Sequence, residues 1–375
     1  MDRLPVKVAV LAAMLLGLPL LGVWLAGLPL SRYLAFPPVG RYVSHAPFSW
    51  AAFFLYLLLI AAAVGPLAVR GVRAALRMEK PAPPARRFPG WGWTGLFALA
   101  VFWVLAWTRF SWFSPLQPHT FFPLWLSFVA VVNALDVKIS GDSLMTARPG
   151  FFLALFPASA GFWWFFEYLN RFVLNWFYSG AAYGPWSYFL LASMSFSTVL
   201  PAVLSTRRLL RHLPRLTAGF AGFIVLRPRH PKSTAAAMLA VAGTGLLLIG
   251  VFPNLLFPLL WISPLLIIVS LRTLSGQRHT LSALADGDWR PVVTAAAAAL
   301  VCGFFWEMWN FFSLARWTYQ VPYVHRFTVF EMPVLGYAGY LPFGLECAMA
   351  GQLLEDLIDA CRRGNSARPW RTQAP

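Results

Sequence analysis

Acidic side chains are scarce in this chain. Only 13 of its 375 residues are Asp or Glu, against 30 Lys and Arg, and charge of both signs together makes up 11%. Soluble domains carry about 25%, so this composition excludes an ordinary water-facing surface. There are three cysteines, Cys302, Cys347 and Cys361, without paired spacing, which excludes a disulfide framework and a cysteine zinc site. The six histidines (His45, His119, His212, His230, His279, His325) fall in loops or at the ends of apolar runs. That argues against an intramembrane haem or di-metal centre. A Walker loop, H-E-x-x-H, a D-D-x-x-D-like cluster and a Gly-x-Ser-x-Gly elbow are all missing, so no cofactor or metal is expected.

What is present is apolar. Hydrophobic residues form 59% of the chain and aromatic residues 17%, and the mean hydropathy is +0.64. That is more apolar surface than one soluble core can bury, and it implies an integral membrane protein. The net charge of +17 reads as cytoplasmic loops under the positive-inside rule, so membrane lipids are the expected partners and nucleic acid is not.

Apolar runs predict an all-α polytopic protein with about ten transmembrane helices. An uncleaved first span over 6–30 is preferred to a signal peptide, because the run is long and no clear small-x-small site follows it. A second span covers 48–69, and a basic, proline-bearing linker (Arg70, Arg73, Arg77, Lys80, Pro81, Pro83, Pro84, Arg86, Arg87) closes a 1–90 hairpin unit. Four spans follow in 91–205, near 91–112, 120–135, 150–177 and 186–205. A basic linker with a short interfacial piece occupies 206–232. Four more spans lie in 233–356, near 233–252, 254–271, 291–315 and 330–354, ahead of a basic tail, 357–375. Six basic residues (Arg32, Arg41, Arg109, Arg171, Arg316, Arg326) fall on the outer side and the other 24 of the 30 on the inner. This distribution predicts an inner (cytoplasmic) membrane protein with both termini in the cytoplasm.

The two four-span blocks read as parallel repeats. Gly161 to Tyr178, GFWWFFEYLNRFVLNWFY, aligns with Gly303 to Tyr319, GFFWEMWNFFSLARWTY, placing Glu167 on Glu307, Asn170 on Asn310 and Trp176-x-Tyr178 on Trp317-x-Tyr319. Arg148-Pro149 with Arg290-Pro291, Trp125 with Trp261, and Leu200-Pro201 with Leu341-Pro342 extend the match in order. Four spans per block is an even number, which predicts a pseudo-twofold axis along the membrane normal.

Three acidic residues are expected at depth: Glu167, Glu307 and Glu331. Such groups are costly in a bilayer and usually face the bundle interior with a function. The Glu-x-x-Asn spacing sets Asn170 and Asn310 on the same helix face as their Glu, and Arg171 is spaced to pair with Glu167, whereas Glu307 has Phe311 in that position. Trp163, Trp164, Trp306, Tyr178 and Tyr319 fit either an interfacial belt or the wall of a cavity for a hydrophobic or cationic small molecule. Pro201, Pro333, Gly336, Gly339, Pro342 and Gly344 are candidates for helix breaks beside a site.

The leading expectation is a proton- or cation-linked secondary transporter with a Glu/Asn site between the repeats. The alternatives are an intramembrane enzyme acting on an isoprenoid or lipid with Glu307 as general acid, and a structural or regulatory subunit. The sequence leaves the substrate and the oligomeric state open. Two same-facing halves, each with an intramembrane acid and a Trp-x-Tyr ahead of the next helix, resemble the lycopene cyclase domains of carotenoid synthesis, which are small duplicated modules that use carboxylates. The proline-then-acid order of that family is reversed here in Phe330-Glu331-Met332-Pro333, so the resemblance transfers no residue roles.

Overall fold

The computed structural model describes residues 4–36, 42–79 and 86–366. Lys80 to Pro84 of the basic linker, Arg41 and the end of the basic tail lie outside the described residues. The chain is mostly helical. Among the described residues, eight helices are long and apolar enough to cross a membrane. They are α1 (Val6–Leu25), α2 (Trp50–Arg77), α3 (Gly90–Trp107), α4 (Phe121–Ser140), α5 (Pro149–Val173), the Pro185–Arg211 segment, α8 (Pro231–Leu248) and α10 (Arg290–Phe311). The Pro185–Arg211 segment consists of α6 (Pro185–Phe196) and α7 (Val199–Arg211). The shorter apolar α9 (Leu259–Leu274) and the C-terminal α11 (Tyr340–Ser366) complete the bundle.

The main packing pairs are α3 with α4, α8 with α9, α10 with α11, and α7 with both α4 and α10. α1 packs mainly on α8, not on α2. Its Gly22 makes this possible, since a Cβ there would stand 1.6 Å from the carbonyl oxygen of Leu247. α2 is held chiefly near its ends: Gly71 and Ala74 meet Phe220 and Gly219 on the basic side, and further contacts join it to the 3-10 turn Val334–Gly339. On that basic side Asp136 is buried and receives Arg208 Nε at 2.9 Å and His212 Nδ1 at 2.7 Å, locking α4 to α7.

The break between α6 and α7 has a local cause. Pro201 cannot donate to the Ser197 carbonyl, which weakens the helix there. Ser159 of α5, fully buried, enters the gap: its Oγ donates to Phe196 O at 2.6 Å and accepts from Leu200 N at 3.0 Å. Both groups of the broken Leu200 N–Phe196 O helical bond are thereby satisfied by a side chain.

α5 and α10 stop earlier than the apolar runs suggest. Leu174 takes a left-handed conformation (φ 52°) with its N–H on Asn170 O, which turns the chain out of α5. Each helix gives way to a short strand: β1 (Trp176–Ser179) and β2 (Arg316–Tyr319) pair antiparallel, Trp176 opposite Tyr319, Phe177 opposite Thr318 and Tyr178 opposite Trp317. The last helix also begins later than expected, at Tyr340 rather than residue 330. Residues 328–333 instead form a small hairpin of β3 (Thr328–Val329) and β4 (Met332–Pro333), succeeded by the 3-10 turn. Pro333, Gly336 and Gly339 belong to this irregular stretch, while Pro342 and Gly344 lie within α11.

Candidate functional site

Each Asn of the Glu-x-x-Asn motif ties its helix to the strand behind it. Asn170 Nδ2 donates to Trp176 O at 2.8 Å and Asn170 Oδ1 accepts from Asn175 N at 2.8 Å. Asn310 Nδ2 donates to Trp317 O at 2.7 Å and Asn310 Oδ1 accepts from Trp317 N at 2.8 Å. An amide offers this two-sided pairing to a peptide group, which a carboxylate cannot. The asparagines are thus engaged with backbone and not presented to a ligand.

The strands then return aromatic side chains to the carboxylates one turn below. Glu167 Oε1 accepts from Trp176 Nε1 at 2.9 Å, Tyr178 OH at 2.6 Å and Trp163 Nε1 at 3.1 Å. Glu307 Oε1 accepts from Tyr319 OH at 2.7 Å and from Tyr340 OH, on α11, at 2.6 Å. Trp317 Nε1 donates to the Tyr319 oxygen at 2.8 Å. Both carboxyl groups are buried, and Glu307 Oε2 has no protein partner.

In front of these tyrosines lies a cavity of about 870 Å³. Its wall takes Trp163, Trp176 and Tyr178 from one block and Trp261, Trp306, Trp317, Tyr319 and Tyr340 from the other, with Tyr56 to Val64 of α2 and residues of α6 closing the sides. The lining is overwhelmingly apolar, and Arg316 supplies the cationic side chain. Around it the rings interlock across the blocks: Trp125 packs on Trp306 with centroids 5.0 Å apart, and Trp261 stacks on Phe166 at 5.1 Å.

The expected residues do not all converge. Glu167 and Glu307 stand behind the cavity wall, and Trp163, Trp306, Tyr178 and Tyr319 line it. Trp164 does not line it; it donates to Ser193 Oγ at 2.9 Å and stacks on Phe189. Arg171 forms no ion pair with Glu167. Three ring donors bond Glu167 Oε1, and the Arg171 guanidinium donates to Tyr33 O at 2.6 Å. Glu331 is not on a helix: it sits in the turn between β3 and β4, 3.6 Å from Arg316.

Several residues were not singled out by sequence reasoning. Tyr340 and Trp261 complete the site, and Asn175 lines the cavity. Glu346 lies in the second turn of α11 and is 1% exposed. The cluster of prolines and glycines before Tyr340 was the signal for the late start of that helix. No group of His, Cys, Asp and Glu suited to a metal occurs among the described residues.

No family model, curated protein or solved structure matches this chain.

Proposed function

We propose that the protein is an intramembrane enzyme that holds an isoprenoid or lipid-like molecule in the aromatic cavity, with Glu307 as the acid of the reaction. The observation that carries this reading is the arrangement of tyrosines between an apolar cavity and a buried carboxyl group, Tyr319 and Tyr340 both bonded to Glu307 while their rings line the space. A proton held on Glu307 is then one hydroxyl away from a molecule in the cavity. An ion or polar solute finds little to bind here, since Asn170 and Asn310 are committed to backbone and the walls are mostly apolar. A second reading is proton-linked movement of the same hydrophobic molecule. It is favoured by the α6/α7 break, because Ser195, Phe196 and Val199 beside it line the cavity.

The same reading takes the chain as ten crossings of the inner membrane, with α9 and α11 added to the eight long apolar helices, two parallel repeats about an axis along the membrane normal, and both termini cytoplasmic. Three observations support the repeat. The β1/β2 register sets Trp176 against Tyr319 and Tyr178 against Trp317, the reciprocal pairing of motif equivalents. The Trp125–Trp306 and Trp261–Phe166 contacts exchange equivalent positions. The Asn hitches recur in both blocks.

The test is to purify the full chain, extract it and identify bound hydrophobic molecules by mass spectrometry, with Ala192→Trp as a cavity-filling control. An apolar molecule lost from Ala192→Trp, and converted by wild type but not by Glu307→Gln, supports the enzyme. Uptake of that molecule into vesicles without conversion, abolished by Glu307→Gln, supports transport. Protein that holds no such molecule, and takes none up when supplied, overturns both.

A further inference from the structure

The polar part of the cavity wall is made of hydrogen-bond donors and includes no carboxylate. Among the described residues the lining contains no Asp or Glu, and Arg316 is its one Lys or Arg. Glu167 and Glu307 stand behind the wall, bonded by the rings in front of them. Tyr56, Asn175, Tyr188 and Ser195 also border the space, and each of these side chains has a proton to give.

Donors gather at one end of the β1/β2 ladder. Ser179 stands directly opposite Arg316 in the register, and residues so paired project from the same face of a sheet. Tyr183 follows in the loop after β1, and its ring lies 5.9 Å from that of His119. All of these residues line the cavity. Among the described residues, the Ser179 and Tyr183 hydroxyls and the His119 ring make no hydrogen bond. Arg316 Nη1 donates to Phe311 O at 3.2 Å and stands 3.6 Å from Glu331, beyond hydrogen-bond reach. Its Nε and Nη2, a pair that can fork on an oxyanion, bond no protein atom among the described residues.

We propose that the molecule held in the cavity is an amphiphile with a phosphate head, that Arg316 forks on this head with Ser179, Tyr183 and His119 around it, and that the apolar chain lies along the aromatic wall. This deepens, and rests on, the reading of the cavity as a hydrophobic binding site. A neutral hydroxyl head takes up one donor and leaves the guanidinium unanswered. A carboxylate answers the fork with both of its oxygens and has little left for the hydroxyls. A phosphate monoester presents three strongly accepting oxygens in a tetrahedral spread, enough for the fork and for the donors beside it. An ammonium head would meet the Arg316 charge and no carboxylate on the wall.

Trp163, Trp176, Trp261 and Trp306 line the cavity, so quenching of tryptophan fluorescence reports binding to the purified full-length protein in a non-ionic detergent. Geranylgeranyl monophosphate is titrated beside geranylgeraniol, with inorganic phosphate as a competitor. Wild type is expected to bind the phosphate ester about ten- to hundredfold more tightly than the alcohol, and equimolar inorganic phosphate to displace neither. Arg316→Gln should bind ester and alcohol alike, at the affinity wild type shows for the alcohol. Glu331→Gln, which frees the guanidinium of its neighbouring carboxylate, should tighten the ester and leave the alcohol unchanged. Equal affinities of wild type for ester and alcohol overturn the phosphate head, and an undiminished preference in Arg316→Gln overturns the role of Arg316. Should Arg316→Gln bind neither probe, Glu331→Gln decides, and no gain for the ester there overturns that role. Displacement of the ester by equimolar inorganic phosphate marks a site for the free anion and overturns the amphiphile. If neither chain-bearing probe binds wild type, the hydrophobic-cavity reading itself fails.

Discussion

Gly303 lies directly beneath the ring of Tyr340: a Cβ added at Gly303 would stand 2.5 Å from Cδ2 and Cε2 of that ring. Gly303 is one turn before Glu307 on α10, so the missing side chain is what lets a tyrosine from α11 lie flat against the helix and reach the carboxyl group. Gly303→Ala should push the ring away, remove the Tyr340 bond to Glu307 and cost about 1–3 kcal/mol through overpacking. Tyr340→Phe removes only the hydroxyl and should cost about 1 kcal/mol. Thermal unfolding in detergent compares them, and a Gly303→Ala protein as stable as wild type would show that the ring has room to move.

The two asparagines hold geometry for the site without touching its ligand. Asn310→Ala frees the Trp317 peptide group from α10, leaving a half-buried N–H and C=O unpaired, at up to about 1 kcal/mol each. Asn170→Ala should likewise free the Asn175 N–H and the Trp176 carbonyl. The double variant should fall short of the sum of the singles, because both hitches steady one β1/β2 ladder. Strict additivity in unfolding experiments would mean that the two hitches act independently.

The carboxylates should respond differently to removal and to conservative exchange. Glu167→Leu strands three ring donors, Trp163, Trp176 and Tyr178, and should destabilise more than Glu307→Leu, which strands two, at roughly 1–3 kcal/mol per donor. Glu307→Gln retains an oxygen to accept from Tyr319 and Tyr340, so the fold should survive within about 1 kcal/mol while activity is lost. Loss of stability without loss of activity in Glu307→Gln would reduce the carboxyl to a structural group.

Much of this was legible in the chain. Apolar runs marked the long helices, α5 and α10 among them. Partner choice was not legible. Arg171 is spaced correctly for Glu167, but i to i+4 spacing says only what is within reach. The three ring donors come from elsewhere on α5 and from a strand whose existence depends on the left-handed turn at Leu174. A four-residue strand paired with another 140 residues away has no local signature, and Trp-x-Tyr reads equally well as a helix end. Hydropathy extends the last span back to 330, where hairpin backbone replaces helix up to Tyr340.

The loop between α9 and α10 makes stability depend on pH through one histidine. Thr273 Oγ1 donates to Val269 O at 2.9 Å, so at 3.0 Å it accepts the Nε2 proton of His279, whose buried Nδ1 has no protein partner. Burial, and secondarily the neighbouring Arg272, hold the His279 pKa below its ordinary value of 6.5. The folded state therefore prefers the neutral ring. Above 6.5 neither the folded nor the unfolded chain protonates this residue, and its full contribution to stability is present. As the pH falls below 6.5 the unfolded chain takes up the proton first, and stability is lost until the folded-state pKa is passed. Wild-type protein should accordingly lose melting temperature between about pH 7 and pH 5, and His279→Gln, which keeps a donor for Thr273 but cannot titrate, should lose less. Parallel curves for the two proteins across that range would mean that the ring protonates without cost where it sits.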